Sequence, residues 1–142
     1  MIQTKLFFAI FALATAFTSN AAADMAIIVN PNSAVTKVSS DEVKRLYLGK
    51  TKSLDDGTRL IPIDHVDGSA IKQEFYDKVV GKPLDRIKAY WSRLTFSGHG
   101  RPPETLGDSA KIKAWVAGNS DAIGYIDTTL LDGSVRAVLT VK

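Results

Sequence analysis

The sequence predicts a single α/β domain. Short apolar runs alternate with amphipathic stretches of helical period, the length of the chain suits one hydrophobic core, and no internal repeat or linker interrupts it. The first 23 residues stand apart. Lys5 supplies a positive start, Leu6 to Phe17 carry no charge, and Ala21-Ala22-Ala23 offer a small-residue cleavage site. This is the pattern of a secretory signal peptide. An apolar run of about 12 residues is too short to span a bilayer, which takes roughly 20. Cleavage after Ala23 leaves residues 24–142 as the working domain, expected in the periplasm and without a membrane span. The chain contains no cysteine, so neither a disulfide framework nor thiol chemistry is available.

Along the domain, Ala26 to Val29 read as a buried strand ended by Asn30-Pro31-Asn32. Ser39 with Glu42 is a capping-box signature for a short helix whose Val43, Leu46 and Tyr47 share one face, closed by Gly49. Leu60 to Ile63 form a second strand, in which Pro62 points to an edge or an end. A helix follows from Ser69, with Ile71, Phe75, Val79 and Val80 at helical spacing and Gly81 as its stop. Pro83 opens the next helix, which turns Leu84, Ile87, Tyr90, Trp91 and Leu94 inward. Ser97 to Gly107 read as a glycine- and proline-rich loop. Asp108 caps a helix bearing Ile112, Trp115 and Val116, and two strands follow, Ala122 to Ile126 and Val135 to Val141, with a tight turn at Asp132-Gly133. Four strands and four helices make one layer set.

Two segments carry chemistry. In Ile63-Asp64-His65-Val66-Asp67-Gly68-Ser69-Ala70-Ile71 a strand passes through a turn into a helix, which aims free backbone N–H groups and the Ser69 hydroxyl at one spot. That is an arrangement for phosphate, sulfate or carboxylate. Asp67 suits a protonated oxyanion such as hydrogen phosphate, and His65 adds charge only when protonated, below about pH 6.5. A plain N-cap at Ser69 and a plain turn at Asp67-Gly68 account for the same residues without a ligand. In the second segment, Ser97 to Pro103, glycines permit close approach and Arg101 is placed to clamp an oxyanion. Asp64, His65 and Asp67 lack the partner motif that a metal site needs.

Other classes are disfavoured. There is no nucleophile elbow, zinc-protease motif, P-loop or dinucleotide fingerprint, so the chain reads as no enzyme and calls for no cofactor. Of the 18 basic and 15 acidic residues only Lys5 lies in the leader, and the near balance left in the domain excludes a nucleic-acid partner.

Four pieces occur in order: Ser40-Asp41-Glu42-Val43 running to Tyr47-Leu48-Gly49-Lys50, Leu60-Ile61-Pro62-Ile63, Asp67-Gly68-Ser69, and Asn119 to Tyr125 as N-x-x-A-I-G-Y. Together they resemble the phosphate-binding periplasmic proteins of ABC transporters, over nearly the whole domain. The resemblance implies a type II periplasmic-binding-protein fold, in which two lobes close on phosphate by a hinge, without catalysis, and deliver it to a membrane permease. The match covers one lobe, the inserted one, expected as a mixed, mostly parallel sheet flanked by helices. The family pattern at the turn is an arginine followed by Asp-Gly-Ser-Gly-Thr. Here His65 stands in place of the arginine, and Ala70 and Ile71 replace the glycine and threonine. A lone lobe cannot close by a hinge, so weak anion binding or a site completed by a homodimer is expected. The alternative is an envelope interaction module that has lost its ligand.

Overall fold

Met25–Val29 form the first strand, β1, and its side chains divide the molecule in two. Met25, Ile27 and Val29 enter one apolar cluster and Ala26 and Ile28 the other, as period-two alternation requires of a strand buried on both faces. The computed structural model describes residues 24–142, so the expected signal peptide lies outside the described residues. The order continues with α1 (Ser40–Tyr47), β2 (Ile61–His65), α2 (Ala70–Phe75), α3 (Leu84–Phe96), β3 (Glu104–Gly107), α4 (Ser109–Gly118), β4 (Ala122–Asp127) and β5 (Arg136–Val141). Among the described residues no helix is long and apolar enough to cross a membrane.

The five strands form one sheet in the order β3-β2-β4-β1-β5. β2 runs parallel to β3 and to β4, while β1 is antiparallel to both β4 and β5. Four strands therefore point the same way and β1 alone runs against them. Helices α1, α2 and α3 cover one face, where Leu46, Tyr47, Phe75, Ile87 and Trp91 pack, and α4 covers the other with Ile112 and Val116.

Local signals in the sequence account for the helix ends. Ser39 Oγ accepts from Glu42 N–H at 3.1 Å and Glu42 Oε2 accepts from Ser39 N–H at 2.9 Å, a complete capping box. Asp108 caps α4 through Lys111 N–H at 3.0 Å. At the far end of α4 the buried Asn30 amide donates to the carbonyls of Val116 and Ala117, and the Asn119 backbone N–H adds a second bond to Val116 O. Helix α2 continues without a break into a π-helical turn, Tyr76–Val80, which stops at Gly81 with φ at +76°.

Three expectations change. Glu104–Gly107 is not loop but a fifth strand on the sheet edge, paired with β2; it is only four residues long and largely exposed, so its own sequence lacks the apolar pattern of a strand. Asp132-Gly133 does not join a hairpin. β4 and β5 flank β1, and residues 128–135 return along it, tied down by Lys113 Nζ at 3.1 Å from Leu130 O and 2.7 Å from the Asp132 carboxylate. Trp115 lies at the surface rather than in the core. Pro62 does sit near a strand end, yet in an interior strand. Ile61 N–H donates to Asp121 O at 2.7 Å, so alternation turns the Pro62 nitrogen toward β3, whose pairing begins only at Ile63.

Packing of α4 on the sheet depends on Gly124 in β4. A Cβ there would lie 2.7 Å from Ile112 Cγ2 and 3.3 Å from Val116 Cγ2. Gly124→Ala is therefore expected to destabilise the domain by about 1–3 kcal/mol through overpacking. Gly118→Ala, where nothing lies within 4 Å, is the control. Urea unfolding of both variants checks this, and equal stability would reject the close-packing account.

Candidate functional site

The carboxyl-terminal end of β2 buries two polar residues in succession, Asp64 and His65, each with at most 3% of its surface exposed. A buried carboxyl group needs partners, and Asp64 has several. Tyr76 from the π-turn donates its hydroxyl at 2.6 Å, Tyr125 from β4 donates a short second hydroxyl bond, and the His65 backbone N–H donates at 2.8 Å. Burial first, then the proximity of Asp64, pushes both tyrosines far above the ordinary phenol range, so they stay protonated and act as donors. Their rings extend the core. Phe75 stacks on Tyr125 with centroids 3.9 Å apart, and Tyr47 meets Phe75 edge-on at 4.6 Å.

Lys72, on the first turns of α2, completes this polar base. Its ammonium donates to His65 O at 3.0 Å and to Asp67 Oδ1 at 3.0 Å, and stands 3.6 Å from Asp64 Oδ2. The hydrogen bond from Lys72 holds the exposed Asp67 carboxyl below its usual range. Lys72 does not stand out in the sequence, because one lysine in an amphipathic helix looks like solvated surface. Its position three residues after the cap, below the turn, was the available signal. Tyr125 was legible as part of N-x-x-A-I-G-Y, though not its bond to Asp64.

Above this base lies the turn. Gly68 has φ at +86°, a left-handed conformation that glycine adopts without strain. Ser69 is the N-cap of α2: its Oγ accepts from Lys72 N–H at 3.3 Å and its carbonyl from Gln73 N–H at 3.3 Å. Those two bonds satisfy the third and fourth amides of the helix. The amides of Ala70 and Ile71, the first two, have no backbone partner and lie beside Gly68 at the positive end of the helix. The site also sits where the order of strands reverses, between β2 and β4, at the carboxyl ends of parallel strands.

Two residues expected here are placed elsewhere. His65 Nε2 lies 2.6 Å from Tyr125 O, so that nitrogen carries the proton, and the ring packs against Tyr125 in the core. Burial lowers the basicity of His65, which therefore adds no charge to the turn. Arg101 precedes β3 and lines a cavity with Leu60 and Ile61, at the amino-terminal end of β2. The length of the strand, at about 3.3 Å per residue, separates it from Ser69. Asp64, His65 and Asp67 do not form one ligand set: the two carboxylates meet at the Lys72 ammonium, while the His65 ring turns to the Tyr125 carbonyl.

The burial of His65 makes a prediction about pH. The folded protein binds this proton less readily than the unfolded chain, so its contribution to stability is intact above the ordinary histidine value and declines as pH falls through about 6.5. Between pH 7 and 5 the wild type is expected to lose stability at up to about 1.4 kcal/mol per pH unit, and His65→Phe less steeply. Thermal melts across that range test the slope, and parallel slopes would contradict the assignment.

No family model matches the sequence, and no curated protein matches it. Solved structures do. A phosphate ABC transporter substrate-binding protein from Clostridium perfringens, with bound phosphate, superposes with TM-score 0.64 at 25% identity, over 82% of this chain and 45% of that one. An ABC-type phosphate transport receptor from Vibrio cholerae gives 0.63 at 18% identity, over 82% and 46%. A possible phosphate-binding protein from Planctomyces limnophilus gives 0.58 at 14% identity, over 82% and 41%. The chain thus spans less than half the length of each of these structures. These superpositions show that the chain has the fold of one lobe of the substrate-binding proteins of phosphate ABC transporters.

Proposed function

We propose that this chain is an exported solute-binding lobe that takes hydrogen phosphate, or a similar oxyanion, on the turn formed by Asp67, Gly68, Ser69, Ala70 and Ile71. The observation that carries the reading is the pair of unpartnered amides at Ala70 and Ile71, beside a glycine that leaves the approach clear. Lys72 beneath them adds positive charge while holding Asp67 at the rim. The carboxylate of Asp67 repels a fully deprotonated anion but accepts from a P–OH, which favours hydrogen phosphate over sulfate. Nothing in this chemistry forms or breaks a covalent bond, so the lobe acts as a carrier rather than a catalyst, and neither metal nor cofactor enters it.

A single lobe leaves the far side of the anion in water, where charge-assisted bonds are weak. Tight binding therefore requires a second surface over the turn. A second copy of the chain facing the first would supply one, as would another protein of the cell envelope or the permease of an ABC system. A second reading follows from Asp67 itself: its carboxylate is already paired with Lys72 without a ligand, which suits an envelope interaction module.

Phosphate titration distinguishes the two. Bound phosphate is expected to raise the melting temperature, with stabilisation approaching about 2.7 kcal/mol at a hundredfold excess over Kd, and sulfate less. The Ser69→Ala, Asp67→Ala double variant is expected to lose that response. A wild type indifferent to phosphate, sulfate and small carboxylates, yet stably bound to a partner, would favour the module instead.

A further inference from the structure

The other end of β2 holds a feature that the phosphate reading leaves unused. A cavity of about 820 Å³ opens there, between the end of α1, helix α3 and the segment leading into β3. That volume falls within the range of sites for organic small molecules and far exceeds what an inorganic anion fills. Its apolar wall includes Leu48, Leu60, Trp91 and Leu94, and Ile61 carries the apolar surface out to solvent. Two glycines frame the indole of Trp91. A Cβ at Gly49 would lie 3.0 Å from Cη2, and one at Gly100 would lie 3.5 Å from Cζ3.

The polar groups around this cavity are unbalanced. Lys52, Arg59 and Arg101 border it, and among the described residues none of them forms an ion pair. Glu104 and Asp121 border it too, so the rim carries an excess of one positive charge. Two residues of the wall also keep buried polar atoms without hydrogen-bond partners, Thr51 Oγ1 and Trp91 Nε1. Folded proteins seldom leave such groups unsatisfied. Both atoms are enclosed beneath the wall, so an occupant would meet the surface groups of the cavity, the arginines among them.

We infer that this cavity is a second ligand site, independent of the turn at Ser69, for an amphiphilic monocarboxylate: an apolar body against Leu48, Leu60 and Trp91, and one anionic head facing Arg59 and Arg101. The apolar wall supplies most of the affinity and the arginines select the charge. A dianion with no apolar body gains nothing from such a wall, which separates this site chemically from the proposed phosphate turn.

Trp91 reports on the site directly. The Trp115→Phe variant leaves it as the one tryptophan of the chain. In that background, decanoate below its micelle-forming concentration is expected to change the Trp91 emission saturably. Decanol, with the same chain and no charge, is expected to bind at least about fivefold more weakly. Arg59→Gln with Arg101→Gln is expected to weaken decanoate by a similar factor while leaving decanol unchanged; both are surface residues, and an unaltered melting temperature confirms the fold. Added phosphate is expected not to compete. The proposal is overturned if decanoate produces no saturable change, if decanol binds equally well, if the double variant binds decanoate as before, or if phosphate displaces it. None of these outcomes depends on whether the turn binds phosphate.

Discussion

A carboxyl group in the core is the constraint around which this domain is arranged. Asp64 is almost completely buried, and an unpaired carboxylate there would cost several kcal/mol. Its partners come from three elements: Tyr125 from β4, Tyr76 from the π-turn after α2, and the backbone of β2 itself. Lys72 approaches from α2. Satisfying one acid therefore pins the end of β2 to β4 and draws the helix down over both. The turn between β2 and α2 has little freedom left, and its amides are held in place from below.

The same residues serve packing and polarity at once. Tyr47, Tyr76 and Tyr125 present aromatic bodies to Phe75 while their hydroxyls reach Asp64 or a strand carbonyl. His65 behaves similarly: its ring lies against Tyr125 and its one N–H goes to the Tyr125 carbonyl. Where an arginine would have placed a permanent charge at the turn, this chain has a neutral ring in the core, and the nearest cation is the lysine beneath. An anion at this turn consequently meets amide dipoles first and charge second.

The two ends of β2 differ in kind. At the carboxyl end, the strand delivers Asp64, His65 and then a capped helix, a polar base under free amides. At the amino end, Leu60 to Pro62 face an apolar cavity with cations on its rim. The two lie at opposite ends of one strand, so the chemistry of each is set by different neighbours.

Much of this was written in local sequence. The alternation of β1, the capping box at Ser39 and Glu42, the Asp108 cap and the Gly81 stop depend on neighbours within a few residues, and each is where its pattern predicts. The Asp67-Gly68-Ser69 turn was legible for the same reason, because φ preference and capping are local properties. The edge strand at Glu104–Gly107 was not, since four residues with no apolar alternation become a strand only when β2 offers its hydrogen bonds. Nor was the placement of β4 and β5 on either side of β1, which no turn sequence encodes. Which polar residues would be buried was decided by tertiary structure alone. His65 and Lys72 look alike as isolated letters, but packing against Tyr125 makes one neutral, and pairing with Asp67 and the His65 carbonyl makes the other the cation of the site.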